Sequence, residues 1–349
     1  LKLDEKTYLT DLYPEEIADL LGLKPFQGRQ VFHWIHRKKV FDVDAMTTLS
    51  KALRAEISEK HGINQLESYR TSNSEETGTR KALLKLEDGE TIETVCIPSK
   101  DRVTLCVSSQ VGCAVKCTFC ATGDSGYARN LSAGEIAEQV LYFLGDEIDA
   151  IPEDRTPNIV YMGMGEPFQN YDAVVRSIRL LMHEEGLNIG ARRITVSTAG
   201  EVKGIEQFAD EDWQVRLSVS LHAANDTLRS ELVPLNRKYN LDRLMGAIED
   251  YTAKTGRQMT FEWTLLKGVN DSLEIADELT GLIADFKAHV NLIPYNPVAG
   301  LGYDAPNVEV CRAFSNRLEA NGINTTLRLE RGQDIDAACG QLRRHTLPS

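Results

Sequence analysis

No stretch of this chain approaches the ~18 consecutive apolar residues of a membrane span, so no membrane partner is expected. The opening residues, Leu1-Lys2-Leu3-Asp4-Glu5-Lys6, lack a signal-peptide pattern, and a cytoplasmic location is expected. Cysteine is scarce and odd in number, seven in 349 residues. That excludes a disulfide-stapled secreted scaffold and suits a reducing compartment. Basic residues are outnumbered, 39 Lys and Arg against 52 Asp and Glu, for a net charge of −13. A general nucleic-acid binder is disfavoured, because neutralising phosphates supplies much of such affinity. The apolar share is 42%, enough for a sizeable core. The length fits one large domain or about two.

Charge is unevenly placed. Residues 20–41 carry Lys24, Arg29, Arg37, Lys38 and Lys39 with His33 and His36, and no acid. Phe26, Phe32, Trp34 and Phe41 are interleaved. Such a patch can grip RNA while the remainder stays acidic. The plainer reading is a solvated helix face with its apolar side in the core.

The cysteines are unevenly placed too. Cys113-Ala114-Val115-Lys116-Cys117-Thr118-Phe119-Cys120 puts three thiols in eight residues, spaced C-x3-C-x2-C. Structural zinc usually takes four protein ligands from two paired knuckles, and there is no second C-x2-C. An iron–sulfur cube is held by closely spaced cysteines on a loop. With three local cysteines, one iron of such a cube has no protein ligand.

Along the chain, residues 1–63 read as a small helical domain. One helix starts at Pro14, a second follows Gly28 with Val31, Phe32 and Ile35 as its stripe, and a third starts at Ser50. Residues 64–79 are polar and read as a linker. Residues 81–87 and 90–97 alternate around Asp88-Gly89, a hairpin signal. Together 64–100 form a linker and β-hairpin extension. From 101 to 349, strands alternate with helices, implying a parallel sheet with right-handed crossovers. Expected strands are 103–108, 158–163, 192–197, 215–221, 259–266, 289–294 and 323–329. Helices are expected over 132–145, 171–186, 201–210, 226–232, 241–255, 272–286 and 307–320, with a capping box at Ser132-Ala133-Gly134-Glu135. Ligands collect where strands end and loops begin. The cysteine loop, Gly163-Met164-Gly165-Glu166-Pro167, Ser197-Thr198-Ala199-Gly200, Ser220-Leu221-His222 and Asn296 all fall at such ends.

The C-x3-C-x2-C loop with Phe119 before its last cysteine resembles the radical SAM superfamily. The longer run Ser109-Gln110-Val111-Gly112-Cys113 to Cys120-Ala121-Thr122-Gly123, then Arg129-Asn130-Leu131, resembles the RlmN family. These are radical SAM methyltransferases acting on carbon 2 of adenine in ribosomal and transfer RNA. The resemblance covers nearly the whole chain. It implies an α/β fold, an open partial (β/α)6 barrel behind an RNA-recognising N-terminal domain. It implies one 4Fe-4S cluster on Cys113, Cys117 and Cys120. Two molecules of S-adenosylmethionine are implied per turnover, held by Gly165, Glu166, Ser197, Ser220, Leu221, His222 and Asn296. Alone, His222 reads as a structural histidine and Asn296 as a turn residue.

Three further residues take roles from the same resemblance. Cys339 is implied as methyl carrier, Cys106 as its resolving partner, and Glu93 as proton acceptor. Cys96 and Cys311 read as ordinary buried thiols. The implied order is methylation of Cys339, hydrogen abstraction from that methyl by a 5′-deoxyadenosyl radical, and addition to carbon 2. Cys106 then attacks the Cys339 sulfur, releasing product and leaving a disulfide. Carbon 2 lies between two ring nitrogens and is electron-poor, which is why a radical route is needed. Asp334 is expected to cap a short helix after Gly332, with Gly332 and Gly340 giving the segment freedom. An electron donor such as flavodoxin and a monomeric state are also expected. The rivals are the related carbon-8 methyltransferases that confer antibiotic resistance, and a noncatalytic zinc-dependent RNA-binding protein. Gln110-Val111-Gly112-Cys113 is closer to the carbon-2 branch.

Overall fold

The computed structural model describes residues 7–145, 156–328 and 331–345. Residues 1–6 and the last residue of the strand expected over 323–329 lie outside the described residues.

The chain begins with α1 (Pro14–Leu20), α2 (Pro25–Phe32) and α3 (Lys51–Lys60). Proline at the first helical position of α1 presets φ where no amide partner is needed. Ser50 caps α3, its Oγ accepting from the Leu53 amide at 3.2 Å. Leu9, Ile17, Val31, Phe32, Ile35, Leu53 and Ile57 form a core of their own, which meets the rest through Ala133 and Leu180. The stripe expected after Gly28 is present, but the helix starts earlier, at Pro25. Gly28 is a packing residue: a Cβ there would meet Pro14 O at 2.2 Å and Ala18 Cβ at 2.8 Å. Only glycine lets α1 and α2 approach so closely.

Next come β1 (Leu66–Asn73), β2 (Arg80–Leu86), β3 (Thr91–Pro98) and β4 (Val103–Cys106), each antiparallel to the one before. Residues 66–73 were expected as linker and are a strand. The misreading has a physical cause: β1 is the sheet's edge, largely solvent-exposed, so its pairing needs no apolar alternation. The hairpin turn at Asp88-Gly89 is present, with Gly89 at φ 84°.

Two short strands, β5 (Gln110–Gly112) and β6 (Tyr127–Asn130), pair apart from the main sheet and enclose the cysteine loop and α4 (Ala121–Asp124). The alternating units follow: α5 (Ala133–Leu144), β7 (Asn158–Tyr161), α6 (Tyr171–Met182), β8 (Ile194–Thr198), α7 (Val202–Phe208), β9 (Arg216–Ser220), α8 (Asp226–Leu232) and α9 (Leu241–Thr255). They end with β10 (Met259–Leu265), α10 (Leu273–Ile283), β11 (Ala288–Pro294), α11 (Val308–Ala320) and β12 (Asn324–Leu327). The capping box is formed: Ser132 Oγ accepts from Glu135 N at 3.1 Å and Ser132 N donates to Glu135 Oε2 at 2.8 Å.

The main sheet runs β1-β2-β3-β4-β7-β8-β9-β10-β11-β12. From β4 onward every pairing is parallel. Among the described residues β12 and β1 are the two free edges, so the barrel is open. Both faces of β10 are buried although it alternates: Phe261, Trp263 and Leu265 fill one face, and Glu262 and Thr264 lie buried on the other.

A buried polar clamp joins the helical domain to the barrel. Glu138 of α5 takes Thr10 Oγ1 at 2.6 Å on one oxygen and the Gln65 and Leu66 amides at 2.8 and 2.9 Å on the other. Burial pushes its carboxyl from 4.5 up to about 8. A carboxyl raised on folding takes up a proton as the chain folds. Its contribution is complete below about 4.5 and is lost as pH rises through about 8. Thermal melts across that window should show a steeper decline of Tm for the native chain than for Glu138→Gln. Parallel profiles would reject Glu138 as the titrating group.

Candidate active site

The rim at the C-terminal ends of the parallel strands collects the expected residues. Cys113, Cys117 and Cys120 occupy the loop between β5 and α4, half-buried and unpaired by disulfide. Glycine makes the loop's course possible. Gly112 has φ 78°, and a Cβ on it would lie 1.7 Å from Gly126 O. A Cβ on Gly123 would press on Lys116 Cα at 3.0 Å and Cys117 N at 3.1 Å. Burial pushes the Cys113 thiol up to about 12 and holds Cys117 well above the usual thiol range, and the neighbouring thiols add to both. These sulfurs are close enough to feel one another and poorly solvated, so an electropositive guest would favour the thiolate form.

The donor set fits an iron–sulfur cube. The three thiols share one short loop and are free of disulfides. A cube places each cysteine on a different iron, so its sulfurs must stand apart. Cys113, Cys117 and Cys120 would hold it, and no fourth thiol lies in the loop to fill the remaining iron.

Gly165-Glu166 sits directly beside this loop. The amides of Ser109 and Gln110 donate to Met164 O at 2.8 and 3.2 Å, and Glu166 N donates to Gln110 Oε1 at 2.9 Å. Gly165 has φ 106°, and a Cβ would meet the Gln110 backbone nitrogen at 2.8 Å. The Glu166 carboxylate accepts from Phe168 N at 3.1 Å and Ala199 N at 2.7 Å. Burial pushes its carboxyl up to about 7. An ammonium ligand would reverse that shift.

Ser197, next to last in β8, and Ser220, last in β9, lie side by side with their hydroxyls 3.3 Å apart. Leu221 is fully buried. His222 follows at φ 58°, its Nδ1 accepting from Thr264 N at 3.0 Å. Nε2 therefore carries the proton, and burial pulls the ring down to about 3, keeping it neutral. Its ring meets Phe119 edge-on at 4.9 Å, which ties the cysteine loop to β9.

The C-terminal segment lies across the same rim. Ala121 N, next to Cys120, donates to Gly340 O at 2.8 Å. Asn296 reaches Cys339 O at 3.4 Å and accepts from Gln333 at 2.7 Å. Cys339 keeps solvent access within a recess: desolvation raises its thiol, and Cys120 is among the neighbours that add to the rise. Burial and then Cys339 raise the thiol of Cys106 at the end of β4. Cys106 and Cys339 are thus near enough to feel each other's charge. Cys106 pairs with Val95, and Val95 with Lys81, so these three side chains share one face of the sheet with Glu93.

Glu93 is fully buried and held by the tail. Lys81 Nζ lies 2.9 Å from its Oε1, Arg343 N donates to Oε2 at 2.9 Å, and His345 Nε2 is 3.2 Å from Oε1. Arg344 forms a two-point pair with Glu90 at 2.5 Å. Asp334 does not cap: the short 3-10 turn Gln333–Ile335 has Gly332 at its cap, φ 73°, with no side-chain bond. The left-handed backbone there suits glycine and leaves no room for the expected arrangement.

Several site residues carry little sequence signal. Lys81, Gln333 and His345 look like ordinary polar residues. Glu262 did have one, a carboxylate inside the buried strand β10. It accepts from Ser218 Oγ and Asn291 Nδ2, both at 2.9 Å, and its other oxygen has no partner among the described residues.

Thiols at the mouth of an open parallel barrel, beside a glycine–acid turn, place this chain among the radical SAM proteins; a model of that superfamily matches residues 107–279. A second model, described as the ribosomal RNA large subunit methyltransferase N-terminal domain, matches residues 9–63. A protein of Heliobacterium modesticaldum called a probable dual-specificity RNA methyltransferase RlmN is 47% identical, over 97% of this chain and 90% of that one. A Thermotoga neapolitana protein of the same description is 47% identical, over 96% of this chain and 97% of its own. The crystal structure of a radical SAM methyltransferase from Sphaerobacter thermophilus aligns with TM-score 0.93 at 49% identity, over 97% of this chain and 99% of that one. The chain belongs to the RlmN family.

Proposed function

We propose that this chain methylates carbon 2 of adenosine in large-subunit ribosomal RNA and of the adenosine next to the anticodon in transfer RNA. The observation that carries the reading is the docking of the Cys339 segment on the cysteine loop, Ala121 N to Gly340 O at 2.8 Å, beside Cys106. The description of the relatives as dual-specificity RNA methyltransferases supports two RNA substrates. The family also supports a 4Fe-4S cluster and S-adenosylmethionine, which when bound supply one electron and a hydrogen-abstracting radical.

The chain's own residues divide the remaining work. Cys339 accepts a methyl group on sulfur and, once that methyl has lost hydrogen, carries the carbon to the base. Two molecules of S-adenosylmethionine are then used per turnover, one for the sulfur and one for the radical. Glu166 receives the amino group of S-adenosylmethionine, with Gly165, Ser197, Ser220, Leu221, His222 and Asn296 shaping its bed. The radical adduct gives up one electron, which the cluster when bound would take back, and Glu93 takes the proton from carbon 2. Cys106 attacks the Cys339 sulfur: the S–S bond forms, the S–CH2 bond breaks, and the freed carbon gains a proton to become methyl. A reductant then resets the disulfide. The tail must lift for Glu93 to face a base, because Arg343 and His345 occupy its carboxylate in this conformation.

The division of labour is 1–63 for RNA recognition, 64–100 as extension and 101–349 for chemistry. In the first part Phe26, Arg29, His33, Trp34 and Lys38 line an open groove of about 330 Å³. Phe26 is 49% exposed and Lys38 Nζ lies 3.6 Å over the Trp34 ring, a surface suited to stacking an unpaired base. Phe32 of the same basic run is in the core instead. A cytoplasmic monomer served by a flavodoxin-type donor completes the reading.

The test is anaerobic reconstitution with iron and sulfide, then dithionite, S-adenosylmethionine and RNA. 5′-Deoxyadenosine and 2-methyladenosine are expected by mass spectrometry of the nucleosides. No 5′-deoxyadenosine would reject the radical reading. 8-Methyladenosine would replace the regiochemistry, and a colourless zinc protein would replace the enzyme altogether.

A further inference from the structure

Arg229 is a buried cation that none of the roles above uses. It lies on α8 and its side chain is inaccessible to solvent. Its guanidinium donates from Nε to Leu221 O at 3.1 Å, from Nη1 to Asn236 Oδ1 at 2.9 Å, and from Nη2 to Ala199 O at 2.7 Å and Ser220 O at 3.3 Å. All four acceptors are neutral. Three are backbone carbonyls at the ends of β8 and β9, beside the residues that would bed S-adenosylmethionine. Among the described residues it forms no ion pair. Asp226 is the carboxylate it feels, but the Oδ1 of that group accepts from Asn236 Nδ2 and Leu241 N, both at 2.8 Å.

A buried cation without a partner costs several kcal/mol even after relaxation. Carbonyl dipoles offset part of that cost, and a folded protein rarely leaves the remainder unmatched. The cysteine loop is anchored on the same helix, one turn from Arg229. Thr118 N, in the cysteine loop, donates to Leu232 O of that helix at 3.1 Å, so the loop is fastened to the element that carries Arg229. Burial pulls the guanidinium down to about 10, and Cys117 is the first neighbour to push it back up.

We propose that Arg229 is the fixed counter-charge of the three-cysteine site, favouring its anionic, electron-rich state and so making the cluster easier to reduce. The inference rests on the reading of Cys113, Cys117 and Cys120 as cluster ligands. Arg229 is a positioning residue here, acting on the cluster through charge and on the strand ends through hydrogen bonds. The cluster accepts one electron on reduction and its negative charge grows by one. A neighbouring cation stabilises that state with no reorganisation, in a medium where charge is weakly screened.

The experiment is a redox titration of the reconstituted protein, followed by electron paramagnetic resonance, without substrate. Arg229→Gln keeps polar atoms near the carbonyls and removes the charge; Arg229→Lys keeps the charge and loses the fork. At a fixed potential the Gln variant is expected to hold about tenfold less reduced cluster than the native chain, a shift of ~59 mV for one electron. The Lys variant should fall near the native value. A purely structural Arg229 predicts that both variants shift alike, or that neither does, and either outcome overturns the proposal. If Arg229→Gln fails to fold, the exchange Asp226→Asn with Asn236→Asp leaves the arginine in place. It moves a carboxylate onto Nη1 at constant net charge. The reduced fraction should again fall about tenfold, and an unchanged potential would overturn the proposal. Should the native chain bind no cluster at all, the cofactor reading fails first, which iron and sulfide content reports separately.

Discussion

Cys339→Ala is expected to lose RNA methylation by at least ~10³-fold, as when other covalent nucleophiles are removed. No other thiol can take its place. Cys106 is buried in β4, Cys96 in β3 and Cys311 in α11, while Cys339 alone combines solvent access with a segment fastened to the cysteine loop. The variant should fold normally. The lost sulfur fills no core position, and substitutions at such sites usually stay within about ±0.5 kcal/mol. The loss is therefore separable from collapse. Labelled methyl from S-adenosylmethionine should appear on the native protein without RNA and be absent from the variant, while iron content and Tm are retained. Methylated RNA from the variant at even a few per cent of the native rate would exclude a carrier role.

The chemistry of this site was more legible in the sequence than its mechanics. Three thiols in eight residues, a Gly-Met-Gly-Glu turn and a Ser-Leu-His strand end are unusual residues in unusual places. The rule that ligands gather at the ends of parallel strands was enough to assemble them. Strand β1 was not legible, because an exposed edge needs no hydrophobic alternation. Gly28 was placed ahead of the second helix rather than inside it, because sequence shows a missing side chain but not the neighbour that requires its absence. Arg229 was invisible for a related reason: an arginine on a short helix looks alike whether it faces water or the barrel. The moorings of the tail were not legible either. Gly332 and Gly340 suggested freedom, and both do adopt left-handed φ of 73° and 85°. Yet the segment is pinned by Lys81 to Asp336 O at 2.9 Å, Thr122 to Leu342 O at 2.5 Å and Arg344 to Glu90. Those partners lie more than two hundred residues away, and no local pattern announces them.

Cys106→Ala should have the opposite phenotype to loss of the carrier: chemistry begins and does not finish. In the proposed mechanism the methylene bridge between Cys339 and the base forms without Cys106. Releasing it requires a second sulfur to attack the first, and the fold offers one candidate. Cys106 stands at the end of β4, paired with Val95, on the face shared by Lys81 and Glu93. Cys96 pairs with Leu105, one residue out of phase, so its side chain points to the other face and cannot substitute. Burial holds the Cys106 thiol protonated, and Cys339 beside it raises it further. Such a thiol is a poor nucleophile until the surroundings change, which suits a group that must not attack early. With RNA, S-adenosylmethionine and reductant, the alanine variant is expected to accumulate close to one RNA per protein. The adduct should survive denaturant, shift on a gel and collapse on nuclease treatment. Adding Cys339→Ala should abolish it, since the tether has no anchor without that sulfur. Free 2-methyladenosine with no adduct would show that some other group resolves the intermediate.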